Sequence, residues 1–283
     1  MGHVSYVNGH FVPHRQALVH IEDRGFQFAD GVYEVCAVRA GRFLDEEGHW
    51  SRLKRSLGEL AIESPLTAGA LRLISRELLR RNRVRDALLY LQVTRGVAPR
   101  DHAFPKGARP SVVMTLKHFD FEKAEARAAA GVAVRTLPDL RWARCDIKSV
   151  GLLPNVLAKQ AAKSAGAFEA WLVDEAGAIT EGASSNAWIV SAQGKLVTRH
   201  LDQAVLPGIT RQTILGVVAA KRLALEERAF SLAEARAARE AFISSATTFV
   251  TPVIKIDDAP VGDGRPGEVA RALRKAYIAA VAA

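Results

Sequence analysis

Cysteine is scarce in this sequence, and long apolar runs are missing from it altogether. Two cysteines, Cys36 and Cys145, are too few for a disulfide framework and do not share a metal-ligand spacing. They are expected to be packing residues in a reducing compartment, with no metal site. No stretch approaches the uninterrupted apolar length that spans a bilayer. The opening "MGHVSYVNGHFV" also lacks the basic-then-apolar pattern of a signal peptide. These absences give the expectation of a cytoplasmic protein with no membrane partner. "MGHVSY" begins like a myristoylation site, but its histidine, valine and strand-like continuation depart from one. No internal repeat and no low-complexity linker breaks the chain. The net charge of +9 is dispersed, and its densest cluster, "RRNRVRD" at Arg80 to Asp86, reads as the frayed end of an amphipathic helix. Without a recognised module or aromatic-basic interleaving, nucleic acid is not an expected partner, and a preference for anionic small molecules accounts for the charge as well.

What is present is a 49% hydrophobic composition over 283 residues, enough to fill the core of one large or two ordinary domains. "SYVNGHFVPH" predicts a hairpin around Asn-Gly, and "GVYEVCAVRAGRFLD" predicts two more strands about Ala40-Gly41. Leu53, Leu57, Leu60 and Ala61 recur at helical spacing, as do Leu71, Ile74, Leu78 and Leu79. "ALLYLQVTRG" and "PSVVMTLKHFD" are β-rich runs flanking a proline-containing loop, which completes an α+β unit. A boundary near His118 to Lys123 divides the chain into residues 1–119 and 120–283. Beyond it come a strand "VAVRTLP", a helix from about Pro154, and a strand meander over "AWLVDEAGAITEGASSNAWIVSAQGKLVTRH". A helix after "PGITRQ", β-structure over "REAFISSATTFVTPVIKID" and a final helix from about Pro266 follow.

Three lysines near the middle differ in their surroundings. Lys159 and Lys163, one helical turn apart among alanines, look like a solvated helix face, whereas Lys148 is wedged between Ile147 and Val150 beside a glycine and leucines. Apolar surroundings destabilise an ammonium and make the neutral amine a nucleophile and base. The alternative is a packed stem whose tip reaches water. Three further stretches bear on the choice. "ITEGASSNAWIV" sets Glu181 ahead of Ser184 and Ser185, an acceptor and donors suited to a polar heterocycle, or an ordinary turn. "LPGITRQTILG" starts a helix at Ile209-Thr210 behind Gly208, where backbone amides suit a phosphate. "FISSATTFVTPV" gathers Ser244, Ser245, Thr247 and Thr248 at a strand end. Pyridoxal 5'-phosphate needs an imine-forming lysine, a partner for its ring nitrogen and an anion cradle, and these stretches offer all three.

In this order, Lys148, Glu181-Gly-Ala-Ser-Ser-Asn186, Leu206-Pro-Gly-Ile-Thr-Arg211 and the Ser/Thr turn before Thr251-Pro252 resemble the class IV, or fold-type IV, pyridoxal-phosphate aminotransferases. "RGFQFADGVYEV" and Arg52 in "HWSRLKRSL" match the same family's amino-terminal signature. The resemblance implies a two-domain α+β fold, with a smaller amino-terminal domain and a larger, β-barrel-like carboxy-terminal domain carrying helices. It implies that Lys148 bonds the cofactor and that Glu181 pairs with the pyridine nitrogen. Arg52, Ile209, Thr210, Ser245 and Ala246 would hold the phosphate, and Ser185 would lie against the cofactor. Ala183 and Ala246 depart from the hydroxyl residues common in the family, and Thr247 is expected to compensate.

The loop "TRGVAPRDHAFP" places Arg100 and His102 two residues apart, a spacing at which an extended loop turns both toward one point. Read plainly, it is also an exposed polar tip. It resembles the carboxylate trap of D-amino acid aminotransferases, with Tyr33 as third member, and in those enzymes the loop comes from a neighbouring subunit. The resemblance therefore implies a homodimer exchanging the amino group of a D-alanine-like substrate with a 2-oxo acid such as 2-oxoglutarate or pyruvate. Transamination of (R)-amines, a branched-chain L-enzyme, aminodeoxychorismate lysis and a non-catalytic binding protein are the alternatives.

Overall fold

The computed structural model describes residues 3–282, which form two compact units. The first comprises Met1–Asp120 with Ile147–Gly151, and the second Phe121–Asp146 with Leu152–Ala283.

Strands β1 (Val4–Val7) and β2 (His10–Pro13) pair with Val7 opposite His10. The two residues between them, Asn8 and Gly9, take φ of 46° and 96°, the left-handed pair that a tight hairpin requires. A short helix, α1 (Arg24–Phe28), starts where the Asp23 side chain accepts the Gly25 amide. Next come β3 (Gly31–Arg39) and β4 (Arg42–Phe43), joined through Ala40-Gly41, again a left-handed pair. Helix α2 (Glu46–Glu59) has acidic residues in its first turn, and α3 (Ala68–Asn82) is capped by Thr67. The Arg80 side of the basic cluster lies in the last turn of α3, where Arg80 and Arg81 both pair with Glu77. Strands β5 (Ala87–Thr94) and β6 (Ser111–His118) complete a sheet of order β2-β1-β6-β5-β3-β4. Trp50, Leu53 and Leu57 of α2, with Leu71 and Leu78 of α3, bury against Leu89, Leu91 and Met114 of that sheet. Ile147, from much later in the chain, packs in the same core.

The second unit opens on α4 (Phe121–Ala130), a helix to which the sequence reading gave no element. Its buried face is Phe121, Ala124 and Ala128, so the periodic signal rests on alanines and is faint. Strand β7 (Val132–Pro138), helix α5 (Leu153–Ser164) with Pro154 in its first turn, and strands β8 (Glu169–Val173), β9 (Ile179–Gly182), β10 (Asn186–Val190) and β11 (Leu196–Thr198) follow. Helix α6 (Ile209–Ala220), β12 (Leu225–Glu227), α7 (Leu232–Arg236), β13 (Glu240–Ser245), β14 (Phe249–Ile256), β15 (Ala259–Pro260) and α8 (Glu268–Ala282) close the chain.

The larger sheet runs β12-β11-β10-β13-β14-β7-β8-β9, with β15 on β14. In a flat sheet β9 and β10 would stand five strand spacings apart, about 24 Å. Yet only residues 183–185 join Gly182 to Asn186, a reach of at most about 15 Å. The sheet must therefore curl, and the Gly182 amide donates to the Ser185 carbonyl where the curl closes. Trp171, Ile189, Ile243 and Val253 fill its core.

Candidate active site

In the first unit, Ile147–Gly151 runs beside β3. The Tyr33 amide donates to the Lys148 carbonyl at 3.0 Å and the Val150 amide to the Gly31 carbonyl at 3.0 Å. The Lys148 amide reaches Ser56 Oγ of α2 at 3.4 Å. With its backbone tied on both sides, Lys148 presents a half-buried side chain whose Nζ lies 4.2 Å from the centre of the Tyr33 ring. Among the described residues no carboxylate pairs with it, so the amine is not committed to a structural ion pair. Tyr33 in turn lies 5.7 Å from Tyr90, whose phenol burial, with Tyr33 beside it, pushes up to about 12.

Arg52 sits on the same face of α2 as Ser56, and it is buried. Its Nε and Nη2 donate to the two oxygens of Glu34 at 2.8 Å each, and His49 Nδ1 meets Glu34 Oε2 at 2.7 Å. Burial alone would raise the Glu34 pKa, but the charge and hydrogen bonds of Arg52, with His49, overcome it and hold the carboxyl at about 2.

Arg100 and His102 are exposed, on the loop after β5. Arg100 lies 4.8 Å from the Phe28 ring centre, and the His102 and Phe28 rings are 5.4 Å apart. Among the described residues, no hydrogen bond, ion pair or ring contact joins either to Tyr33 or Lys148. Beneath the loop lies a charged cluster: Arg24 and Arg95 share the Asp30 carboxylate. Burial raises the Asp30 pKa, and the two guanidiniums outweigh it to leave that pKa below the ordinary value.

In the second unit, Glu181 is buried at the end of β9. Arg141 Nη1 donates to its Oε1 at 2.5 Å, Asn186 Nδ2 to its Oε2 at 3.0 Å, and the Leu206 amide to both oxygens at 3.2 Å. Arg141 also holds Asp139, whose carboxyl burial would raise but Arg141 and Thr180 pull below its usual range. Asn186 spends its second Nδ2 hydrogen on the Leu206 carbonyl, and its Oδ1 presses on Gly208 so closely that an added Cβ there would lie 2.0 Å away. That glycine heads α6. Ile209 and Thr210 are buried in the first turn, and Thr210 Oγ1 finds no hydrogen-bond partner among the described residues. A buried hydroxyl without a partner costs free energy unless something else accepts its proton, and first-turn amides favour an anion. An anionic oxygen of a phosphate meets both needs.

The β10–β13 register sets Asn186 opposite Ser244, which brings the turn at Ser245 to the same end of the sheet. Ser245 Oγ accepts the Thr247 and Thr248 amides at 3.3 and 3.2 Å and meets both their hydroxyls, so this is an ordered hydroxyl cluster with Ala246 at its apex. Ser185 and Ser184 donate to the buried Glu169. Lys159, expected on a solvated face, also pairs with Glu169, at 3.1 Å. The Lys159 side chain stays 40% exposed, as a solvated helix face predicts, while its amine also serves a buried carboxylate that only the fold brings there.

The structure thus groups Lys148, Tyr33 and Arg52 in the first unit, with Arg100 and His102 on a loop of that unit. It sets Glu181, Ser185, Ile209, Thr210, Ser245 and Ala246 in the second. Sequence reasoning missed Glu34, His49, Arg24, Asp30, Arg95, Arg141 and Glu169. Arg24, Asp30 and Glu34 do stand within the quoted "RGFQFADGVYEV" signature, which offered a signal.

A family model described as amino-transferase class IV matches residues 31–256. A D-alanine aminotransferase of Bacillus licheniformis is 41% identical over 269 residues, covering 95% of this chain and 94% of that protein. Among solved structures, a branched-chain amino acid aminotransferase from Escherichia coli superposes with a TM-score of 0.90 at 23% identity, over 99% of this chain and 95% of that one. A hypothetical aminotransferase from Mycobacterium tuberculosis, in its PLP-bound form, gives a TM-score of 0.85 at 20% identity over 98% of each chain. The two structural likenesses establish the fold.

Proposed function

Since the chain belongs to the class IV aminotransferases, we propose that it transfers the amino group of a D-amino acid, D-alanine in kind, to a 2-oxo acid such as 2-oxoglutarate, with pyridoxal phosphate as cofactor. The observation that carries this reading is Lys148: its backbone is tied to β3 and α2, and its amine lies against an aromatic ring with no carboxylate among the described residues to neutralise it. The likeness to a D-alanine aminotransferase over nearly the full length supports the D-configuration of the substrate.

When bound, pyridoxal phosphate supplies the electron sink for the pair released as the substrate Cα–H bond breaks. Lys148 Nζ would be the base that takes up that proton and gives it back. The Glu181 carboxylate is oriented by Arg141, Asn186 and the Leu206 amide, and would keep a proton on the ring nitrogen. Thr210, the Ile209 amide, Arg52, Ser245 and the backbone at Ala246 would be the groups to hold the phosphate, and Ser185 would serve the rest of the cofactor. Tyr33, Arg100 and His102 take the substrate carboxylate, the last two in a homodimer, which their exposure in the single chain suits. Two buried free cysteines suit the reducing cytoplasm in which we place the enzyme.

The test is the absorption spectrum of the protein with pyridoxal phosphate, before and after D-alanine, L-leucine or an (R)-arylalkylamine. Bleaching of the cofactor band by D-alanine and not by the others is the expected result. Bleaching by L-leucine instead overturns the substrate, and the absence of any band overturns the cofactor. Lys148→Ala should abolish both band and turnover, and wild-type turnover in that variant would remove the lysine from the mechanism.

A further inference from the structure

The loop bearing Arg100 and His102 is polar and exposed, yet it is not loosely held. Arg24, 3% exposed, donates from Nη1 to the Asp101 carbonyl at 2.5 Å and from Nη2 to the His102 carbonyl at 3.4 Å. Its Nε donates to Asp30 at 2.8 Å, and its guanidinium lies 4.8 Å from the centre of the same Phe28 ring that Arg100 approaches. The Arg24 amide also donates to the Gly96 carbonyl at 2.9 Å, at the base of the loop. Asp30 is anchored from its other side by Arg95, which forks onto it at 2.7 and 3.0 Å and ties the Leu60 and Ala61 carbonyls at the end of α2. The Arg95 guanidinium further lies 3.6 Å from the ring centre of Phe104, within the loop.

We propose that Arg24, fixed by Asp30, is a positioning residue for substrate recognition: it sets the backbone at Asp101–His102 and thereby aims Arg100 and His102 at the substrate carboxylate. This rests on the reading of Arg100 and His102 as the carboxylate clamp. A planar guanidinium suits the task because one rigid group donates in three directions at once, to a carboxylate and two carbonyls. An ammonium lacks that fixed fork. Arginine is also always charged, so its own side of the contact does not titrate. Positioning of this kind belongs to binding, so its loss falls on KM more than on kcat.

The experiment compares holoenzymes: wild type, Arg24→Met, Arg100→Ala/His102→Ala, and the triple variant, each with D-alanine and 2-oxoglutarate. Arg24→Met should keep the cofactor absorption band and raise both KM values roughly tenfold or more, with kcat little changed. Added to the variant lacking both clamp side chains, it should raise KM no further. Wild-type KM in Arg24→Met overturns the proposal, and so does an equal further loss in the triple variant, which marks a purely structural role. If Arg100→Ala/His102→Ala leaves KM unchanged, the clamp reading fails first and the proposal falls with it. Should Arg24→Met not retain the cofactor, Arg24→Lys decides: a raised KM supports the fork, and a wild-type KM overturns it.

Discussion

Replacing Glu34 with glutamine removes one charge from a buried triad and leaves its shape in place. Glu34 is 1% exposed, forked by Arg52 and met by His49. Its carboxyl is held at about 2 against an ordinary value of 4.5. At about 1.4 kcal/mol per pH unit, ionised Glu34 contributes about 3 kcal/mol to folding at neutral pH. Because the folded value is the lower one, that contribution is full above 4.5 and is lost as pH falls from 4.5 toward 2; by about pH 3.5 roughly 2 kcal/mol remains. Glu34→Gln should therefore be about 3 kcal/mol less stable at pH 7, since it removes the negative charge that Arg52 and His49 face. The gap to wild type should narrow by about 1 kcal/mol at about pH 3.5. Urea unfolding of both proteins at the two pH values measures it, with the difference between them cancelling the carboxylates they share. A gap that does not change with pH would show that the stabilisation is not ionic. A neutral-pH gap below about 1 kcal/mol would show that the triad is worth no more than a surface pair.

Two other substitutions test the second unit. Gly208→Ala drives a methyl onto Asn186 Oδ1, the amide that also reaches Glu181 and Leu206; it should weaken pyridoxal phosphate binding roughly tenfold or more, and unchanged affinity in an absorbance titration would mean that Asn186 moves freely. Thr210→Val removes the unpartnered buried hydroxyl without changing its shape; the cofactor-free protein should melt no lower, and by about 1 kcal/mol of relieved desolvation somewhat higher, while cofactor retention falls. A lower melting point without cofactor would mean that the hydroxyl has a partner within the protein.

Much of this was readable before any coordinates, because the relevant signals are local. Asn8-Gly9 and Ala40-Gly41 announce hairpins through backbone conformations that few residues adopt. Pro154 and Gly208 announce helix starts, and Lys148 is conspicuous because its neighbours in sequence are apolar. Partnerships between charges were not readable. Arg141 and Glu181 are forty residues apart, Arg52 and Glu34 eighteen, Arg95 and Asp30 sixty-five. Nothing in a stretch such as "RWARCD" distinguishes an arginine that will be buried from one that will be solvated. Lys159 is half of each: it keeps the exposure its alanine neighbours suggested, and a strand folded alongside adds Glu169 as a partner. Helix α4 escaped because alanines carry its buried face.

Ile147–Gly151 belongs to the first unit, although the chain enters and leaves it from the second. During synthesis the ribosome delivers all of Met1–Asp120 while the core of that unit still lacks Ile147. Its folding can therefore finish only after the exit tunnel has released residues beyond Gly151. The amine proposed to carry the chemistry rides on the segment that closes the fold, so a nascent chain stalled earlier carries neither a completed first unit nor that lysine. Circular permutants cut at residue 120 would supply the missing segment before the rest of its unit is translated, and they separate the order of synthesis from the order of folding.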